Sequence, residues 1–206
     1  MEFWNDEATN ESWRVLLGLA KKFKLVIIGG WACYLHTKAI KSRDVDIIVD
    51  FDVLDKIRRD SGLNKNEHLK KYETKIDGIS IDIYVPYYSK LPLPMKEIQS
   101  NTMEIEQIAV PKPEVVLILK QAAELDRANS IKGQKDRVDI LNLLLNTDIN
   151  FKNYFKLVNT YNLQELPRRL KSIIITARKE FEYLGIINPR EIKLKKQKIL
   201  KKFQAA

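Results

Sequence analysis

A single cysteine, Cys33, stands among 206 residues, so no disulfide can form within the chain. That fits a reducing compartment, and a cytoplasmic location is the expectation. Histidine is almost as scarce: two residues, which with one cysteine offer no cluster of zinc ligands. No Ser-His-Asp or Cys-His arrangement suggests a nucleophilic hydrolase. No apolar run approaches the roughly eighteen residues of a membrane span. The acidic opening MEFWNDEATNE lacks the basic-then-apolar layout of a secretion signal. No internal repeat is visible. The composition, 45% hydrophobic and 31% charged, is ordinary for a globular chain, with length for one full domain or for a small domain plus a helical appendage.

Acidic residues are scarce in one place only. Residues 151–206 hold fourteen Lys and Arg against four Asp and Glu, a net charge of +10, whereas residues 1–150 net −1. Such asymmetry suggests a surface for a polyanion, most simply nucleic acid. A well-solvated, Lys-rich helical surface is the other reading.

The richest stretch runs from Leu25 to Phe51. Leu25 to Ile28 are apolar and β-branched enough for a buried strand. Gly29 and Gly30 follow, then a short helical run to Lys38 and a second strand in which Asp44 and Asp46 alternate with Val45 and Ile47. Side chains two apart on a strand share a face, so the two carboxylates lie side by side. Glycines let the backbone approach a ligand, and a helix start offers unpaired N–H groups to a phosphate. Paired carboxylates suit magnesium, a hard cation that takes oxygen ligands. Taken singly, the glycine pair reads as a tight turn and the two aspartates as a solvated strand end. Further on, Ile79, Ile81 and Ile83 alternate with Ser80, Asp82 and Tyr84 after an Asp77-Gly78 hairpin turn. Asp82 is thus a carboxylate in mid-strand, whose burial needs a metal or a neighbouring cation.

The order Ile28-Gly29-Gly30, thirteen intervening residues, then Asp44-Val45-Asp46-Ile47 resembles the signature of the nucleotidyltransferase superfamily, the DNA-polymerase-β-like fold. The resemblance covers about residues 24–145 and implies an α/β (α+β) architecture: a small mixed sheet with flanking helices in a catalytic domain at 1–110, and a helical C-terminal region at 111–206, basic from about 151. It implies that Asp44, Asp46 and Asp82 are catalytic and bind two Mg²⁺ ions, with Asp82 also helping to take a proton from the acceptor. It implies that Gly29 and Gly30 seat the triphosphate, with Ser42 and Arg43 as further contacts. Lys120, amid Val, Ile and Leu, needs a partner. Together with the Lys135-Asp136 and Asp139 run it resembles the AbiEii-like, minimal prokaryotic branch, where such a Lys contacts phosphate and one acid completes the nucleotide site; Asp136 and Asp139 both match it, with Asp136 preferred. Surface ion pairing among these residues is the bland reading.

The activity so implied is transfer of a nucleoside monophosphate from a nucleoside triphosphate to an acceptor hydroxyl. RNA or tRNA is the expected acceptor, held by the basic C-terminal helices, with no membrane partner. A toxin of the same chemistry with an antitoxin partner, a small-molecule (aminoglycoside-type) enzyme and an idle nucleic-acid-binding module are the alternatives. Elsewhere, helices are expected over 10–23 (capped by Asn10 or Ser12), after Asp52 as cap, from Pro113, over 135–146 and through most of the remainder, where the apolar residues from Leu163 to Leu184 form a broad stripe. A loop is expected over 86–102, with Tyr87 and Tyr88 packing or stacking on a base, and one strand over 104–110.

Overall fold

The structure, a computed structural model, describes residues 6–205. In chain order the elements are α1 (Asp6–Lys22), β1 (Val26–Ile28), α2 (Gly29–Thr37), β2 (Val45–Ile48), α3 (Phe51–Ser61), β3 (Asn64–Asn66), β4 (Lys71–Ile76), β5 (Ile79–Tyr84), α4 (Met95–Ser100), β6 (Thr102–Ile105), β7 (Ile108–Pro111), α5 (Pro113–Asp126), α6 (Ile131–Asn146), α7 (Phe151–Thr160), α8 (Glu165–Thr176), α9 (Lys179–Tyr183) and α10 (Pro189–Gln204). They form two compact units, one ending at Lys112 and the other beginning at Pro113.

The first unit is built on a five-stranded sheet of order β1-β2-β5-β4-β3. Every pairing is antiparallel except β2 with β5, which is parallel. The alternation in β5 does what its spacing predicts: Ile79, Ile81 and Ile83 are buried, while Ser80, Asp82 and Tyr84 are half-buried on the other face. Val45 lies beside Ile81 and Ile47 beside Ile83. Each such buried aliphatic side chain contributes about 1.5–3 kcal/mol relative to exposure. Asp77 and Gly78 both adopt positive φ, 50° and 79°, which matches the twist of a two-residue hairpin. The expected mixed sheet followed by a helical C-terminal region is what the chain forms.

Four local expectations are corrected. Helix α1 begins before Asn10, so neither Asn10 nor Ser12 caps it; Ser12 is buried and accepts a hydrogen bond from Trp31 Nε1 at 2.8 Å. Helix α3 begins at Phe51, which puts Asp50 at the cap position and Asp52 in the first turn. The segment 86–102 contains α4, whose Met95 and Ile98 are buried. The single strand expected over 104–110 is a hairpin of β6 and β7, turned through Glu106 and Gln107 at φ 52° and 63°.

In the second unit, α5 and α6 pack together across a short connection, and α7, α8, α9 and α10 pack around them. Leu166, Leu170, Ile173, Ile174, Ala177 and Phe181 of the expected stripe are buried, and they are carried by two helices, α8 and α9, separated at Ala177. Leu141, Leu143, Tyr154, Leu170, Ile173 and Phe181 fill its core. Among the described residues no helix is long and apolar enough to cross a membrane.

Candidate active site

Strand register assembles the site. Ile28, the last residue of β1, lies opposite Asp46 on β2; Asp46 is the register neighbour of Asp82 on β5; Asp82 lies opposite Glu73 on β4; and Glu73 lies opposite Asn64 on β3. One row across the sheet thus reads Ile28, Asp46, Asp82, Glu73, Asn64. Register neighbours share a face, so three carboxylates stand side by side on adjacent strands. Asp44 immediately precedes β2 and is half-buried.

Helix α2 starts on this row. Trp31, fully buried, anchors it through Ser12 and stacks near Trp13 and Tyr34, with ring centroids 5.0 and 5.3 Å away. Its cap residue is Ile28, which makes no side-chain capping bond, so the first N–H groups receive none from it. Gly29 has φ 67°, and a Cβ there would sit 2.1 Å from Asp46 Oδ2 and 2.7 Å from its Cγ. The glycine is required twice over, by its left-handed backbone and by the carboxylate packed on its Cα. Gly30 is buried behind it.

Around the row, Arg43 Nε lies 3.3 Å from Asp44 Oδ1, and Ser42 is buried. Lys71, which the sequence pattern does not single out, is 9% exposed and places its ammonium 2.5 Å from Asp82 Oδ2 and 3.1 Å from Glu73 Oε1. Burial pushes the Lys71 ammonium down, but the two carboxylates outweigh it and the net shift is upward. Burial likewise pushes Glu73 up, and hydrogen bonds from Lys71 and Asn66 bring it below the ordinary glutamate value.

Two solved structures match over nearly the whole chain. The Helicobacter pylori protein JHP933 is 17% identical, with TM-score 0.52 over 98% of this chain and 95% of its own. A proposed nucleotidyltransferase from H. pylori is 16% identical, with TM-score 0.52 over 98% of both chains. The fold is that of the nucleotidyltransferases. A fainter likeness links 67% of this chain to the Megavirus polyadenylate synthase at 17% identity and TM-score 0.48; the chain spans 31% of that protein's length. No protein-family model matches the sequence, and no curated protein matches it.

Within this nucleotidyltransferase fold the acidic row fits magnesium in two respects. Its donors are hard carboxylate oxygens, and the bare Cα of Gly29 leaves the Asp46 carboxylate its place against the backbone. Among the described residues, no three His, Cys, Asp or Glu side chains are gathered as a ligand set; the carboxylate of Asp82 is held by Lys71.

Lys120 and Asp136 belong to another cluster, inside the second unit. Lys120 is 6% exposed, 3.1 Å from Asp136 Oδ1 and 2.7 Å from Asp139 Oδ2. Lys135 reaches Asp139 Oδ2 at 3.1 Å, and Arg127 reaches Asp136 Oδ2 at 2.7 Å. The partner that Lys120 needs is therefore both acids of α6, and this ion pairing is buried rather than on the surface. Burial pushes the Asp139 carboxyl up, yet Lys120 and Lys135 bring it below its ordinary value. Of the two tyrosines after β5, Tyr88 packs on Tyr72, while Tyr87 is fully exposed. His36 has its Nε2 2.8 Å from the Pro111 carbonyl oxygen.

Proposed function

We propose that the chain transfers a nucleoside monophosphate from a nucleoside triphosphate to a hydroxyl of an RNA, tRNA included. The observation that carries this reading is the register of Asp46 beside Asp82, with the Asp46 carboxylate packed on the bare Cα of Gly29. The acceptor oxygen forms a bond to the α-phosphorus, the bond to the β,γ-diphosphate breaks, and pyrophosphate leaves. Asp44, Asp46 and Asp82 are the residues that would hold magnesium, which would neutralise the triphosphate and acidify the acceptor hydroxyl. Asp82 is assigned the acceptor's proton. The first N–H groups of α2, at Gly29 and Gly30, seat the outer phosphates, and Arg43 with Ser42 extends that contact. Lys120 and Asp136 enter on the resemblance to the AbiEii-like pattern alone. A phosphate at Lys120 competes there with Asp136 and Asp139.

The acceptor is argued from charge. On α10, Lys193, Lys198, Lys201 and Lys202 are exposed while Ile192 and Ile199 are buried. Triphosphate recognition alone does not need this basic face; a long polyanion uses it, and phosphate contacts of this kind bring little base readout.

The test is incubation with each labelled triphosphate, magnesium and total cellular RNA. Label in RNA supports the proposal, label only in small molecules moves the acceptor to that class, and no label in any product sinks nucleotidyl transfer. Filter binding of tRNA across salt concentrations tests the acceptor surface separately. Changing Lys193, Lys198 and Lys201 to Gln is expected to lower the log–log salt slope by up to about 0.9 for each phosphate that is no longer neutralised. No affinity for tRNA even at low salt rules out an RNA acceptor.

A further inference from the structure

The acidic row poses an electrostatic problem that the sheet itself creates. Adjacent strands lie about 4.8 Å apart, and three of them present Asp46, Asp82 and Glu73 at matched positions on one face. Like charges directly opposite one another are destabilising. The protein's own answer is Lys71, whose ammonium lies 2.5 Å from Asp82, the middle carboxylate, and 3.1 Å from Glu73. Glu73 in turn accepts a hydrogen bond from Asn66 Nδ2 at 2.9 Å, which fixes it on the side of the row away from Asp46.

We propose that Lys71 is the resident counter-ion of the acidic row, and that a divalent cation using Asp82 must displace the Lys71 ammonium, which then stays on Glu73. The inference rests on the reading of Asp44, Asp46 and Asp82 as a metal site. It adds a competitor and a resting place: Asp82 serves Lys71 in the absence of metal, and Glu73 retains the lysine when metal enters. Lys71 is thus a positioning residue that sets how tightly the site takes its cation.

The experiment titrates Mn²⁺ into the intact protein without nucleotide, following free Mn²⁺ by electron paramagnetic resonance, for wild type, Asp46→Asn, Lys71→Gln, Lys71→Arg, Asp82→Asn and the Lys71→Gln/Asp82→Asn pair. A charge-assisted hydrogen bond no longer has to be broken in Lys71→Gln, so its affinity is expected to rise severalfold, up to about fivefold. Lys71→Arg, which keeps the charge, should stay near wild type. In the Asp82→Asn background the gain should vanish, because there is no third carboxylate to release. Thermal melts establish that each variant folds, and Lys71→Met replaces Lys71→Gln if that variant does not. If Asp46→Asn abolishes Mn²⁺ binding but Lys71→Gln binds no tighter, the displacement idea alone is overturned. It is overturned equally if the gain persists undiminished without Asp82, since that is long-range charge and not competition. If no variant binds Mn²⁺ at all, the metal-site reading falls and takes this inference with it.

Discussion

Two of the lysine–carboxylate clusters among the described residues, one in each unit, differ in depth. Lys71 with Asp82 and Glu73 borders solvent: the three side chains are 11%, 23% and 38% exposed. Lys120 with Asp136 and Asp139 does not, at 7%, 2% and 1%. The chemical inventory is nearly the same. The consequence differs because water competes for the first cluster and not for the second. Pairs near solvent are worth about 0–1 kcal/mol and can exchange partners. Removing one member of a buried set strands a charge that has nowhere to go, at a cost of about 3–5 kcal/mol. The shallow cluster is therefore suited to ligand exchange and the deep one to holding α5 against α6.

Breaking the row itself should have the largest effect. Asp46→Asn is expected to reduce nucleotidyl transfer by at least about a hundredfold with an unchanged unfolding midpoint, and Asp44→Asn and Asp82→Asn should follow it; normal turnover by Asp82→Asn would remove the third carboxylate from the chemistry. Next is Lys120→Ala, expected to destabilise the protein by about 3–5 kcal/mol in urea unfolding. Calorimetry with triphosphate on the same variant, at a temperature where it is folded, separates a phosphate contact from a purely structural cation. A loss under about 1 kcal/mol would put the deep cluster in the same class as surface pairs.

The glycines sharpen the contrast. A Cβ at Gly133 would lie 2.1 Å from the Arg127 carbonyl oxygen, which is backbone, so Gly133→Ala should cost about 1–3 kcal/mol through a forced backbone shift. At Gly29 the obstacle is a side chain that can rotate away. Gly29→Ala should lose about 1–2 kcal/mol from its left-handed backbone, yet lose transfer almost as completely as Asp46→Asn, because Asp46 is what moves. A crystal structure of an active Gly29→Ala with Asp46 unmoved would contradict this.

The last contrast is read in acid. Asp139 in the folded protein titrates below its ordinary 3.8, because Lys120 and Lys135 overcome the burial that pushes it up. Its contribution to stability is therefore complete above about pH 4 and lost as pH falls through the lower folded value. Asp139→Asn should unfold at lower urea than wild type at pH 7, and show a shallower fall in midpoint below about pH 4. Lys71→Gln should change the unfolding free energy by less than about 1 kcal/mol.

Much of the acidic row is legible in the sequence because strands write themselves at period two: isoleucines flanking Asp82, and Val45 and Ile47 flanking Asp46, fix which way each carboxylate faces. Lys71 is not legible. Its role comes from the register of β4 on β5, and nothing in KKYETKI marks one lysine of several as enclosed. Lys120 is half legible, since its apolar neighbours demand a partner but do not say that both Asp136 and Asp139 supply it. Strand β3 is invisible because Asn-Lys-Asn has neither alternation nor β-branched residues. The β6–β7 turn is invisible because Glu106 and Gln107 are not residues that favour positive φ; tertiary packing of β7 beside β1 overrides their preference.

That unremarkable β3 has a consequence for how the protein behaves in a crowd. It closes one end of the five-stranded sheet, and an uncovered strand is a template on which another chain can add. Here the strand is three residues long, wholly polar, and bears Lys65 at its centre with its side chain in solvent. A short charged border of this kind discourages strand addition. Lys65→Val would replace that guard with a good strand former, and the expected change would be seen in light scattering rather than in activity: self-association growing with concentration at an edge that the natural residue keeps closed.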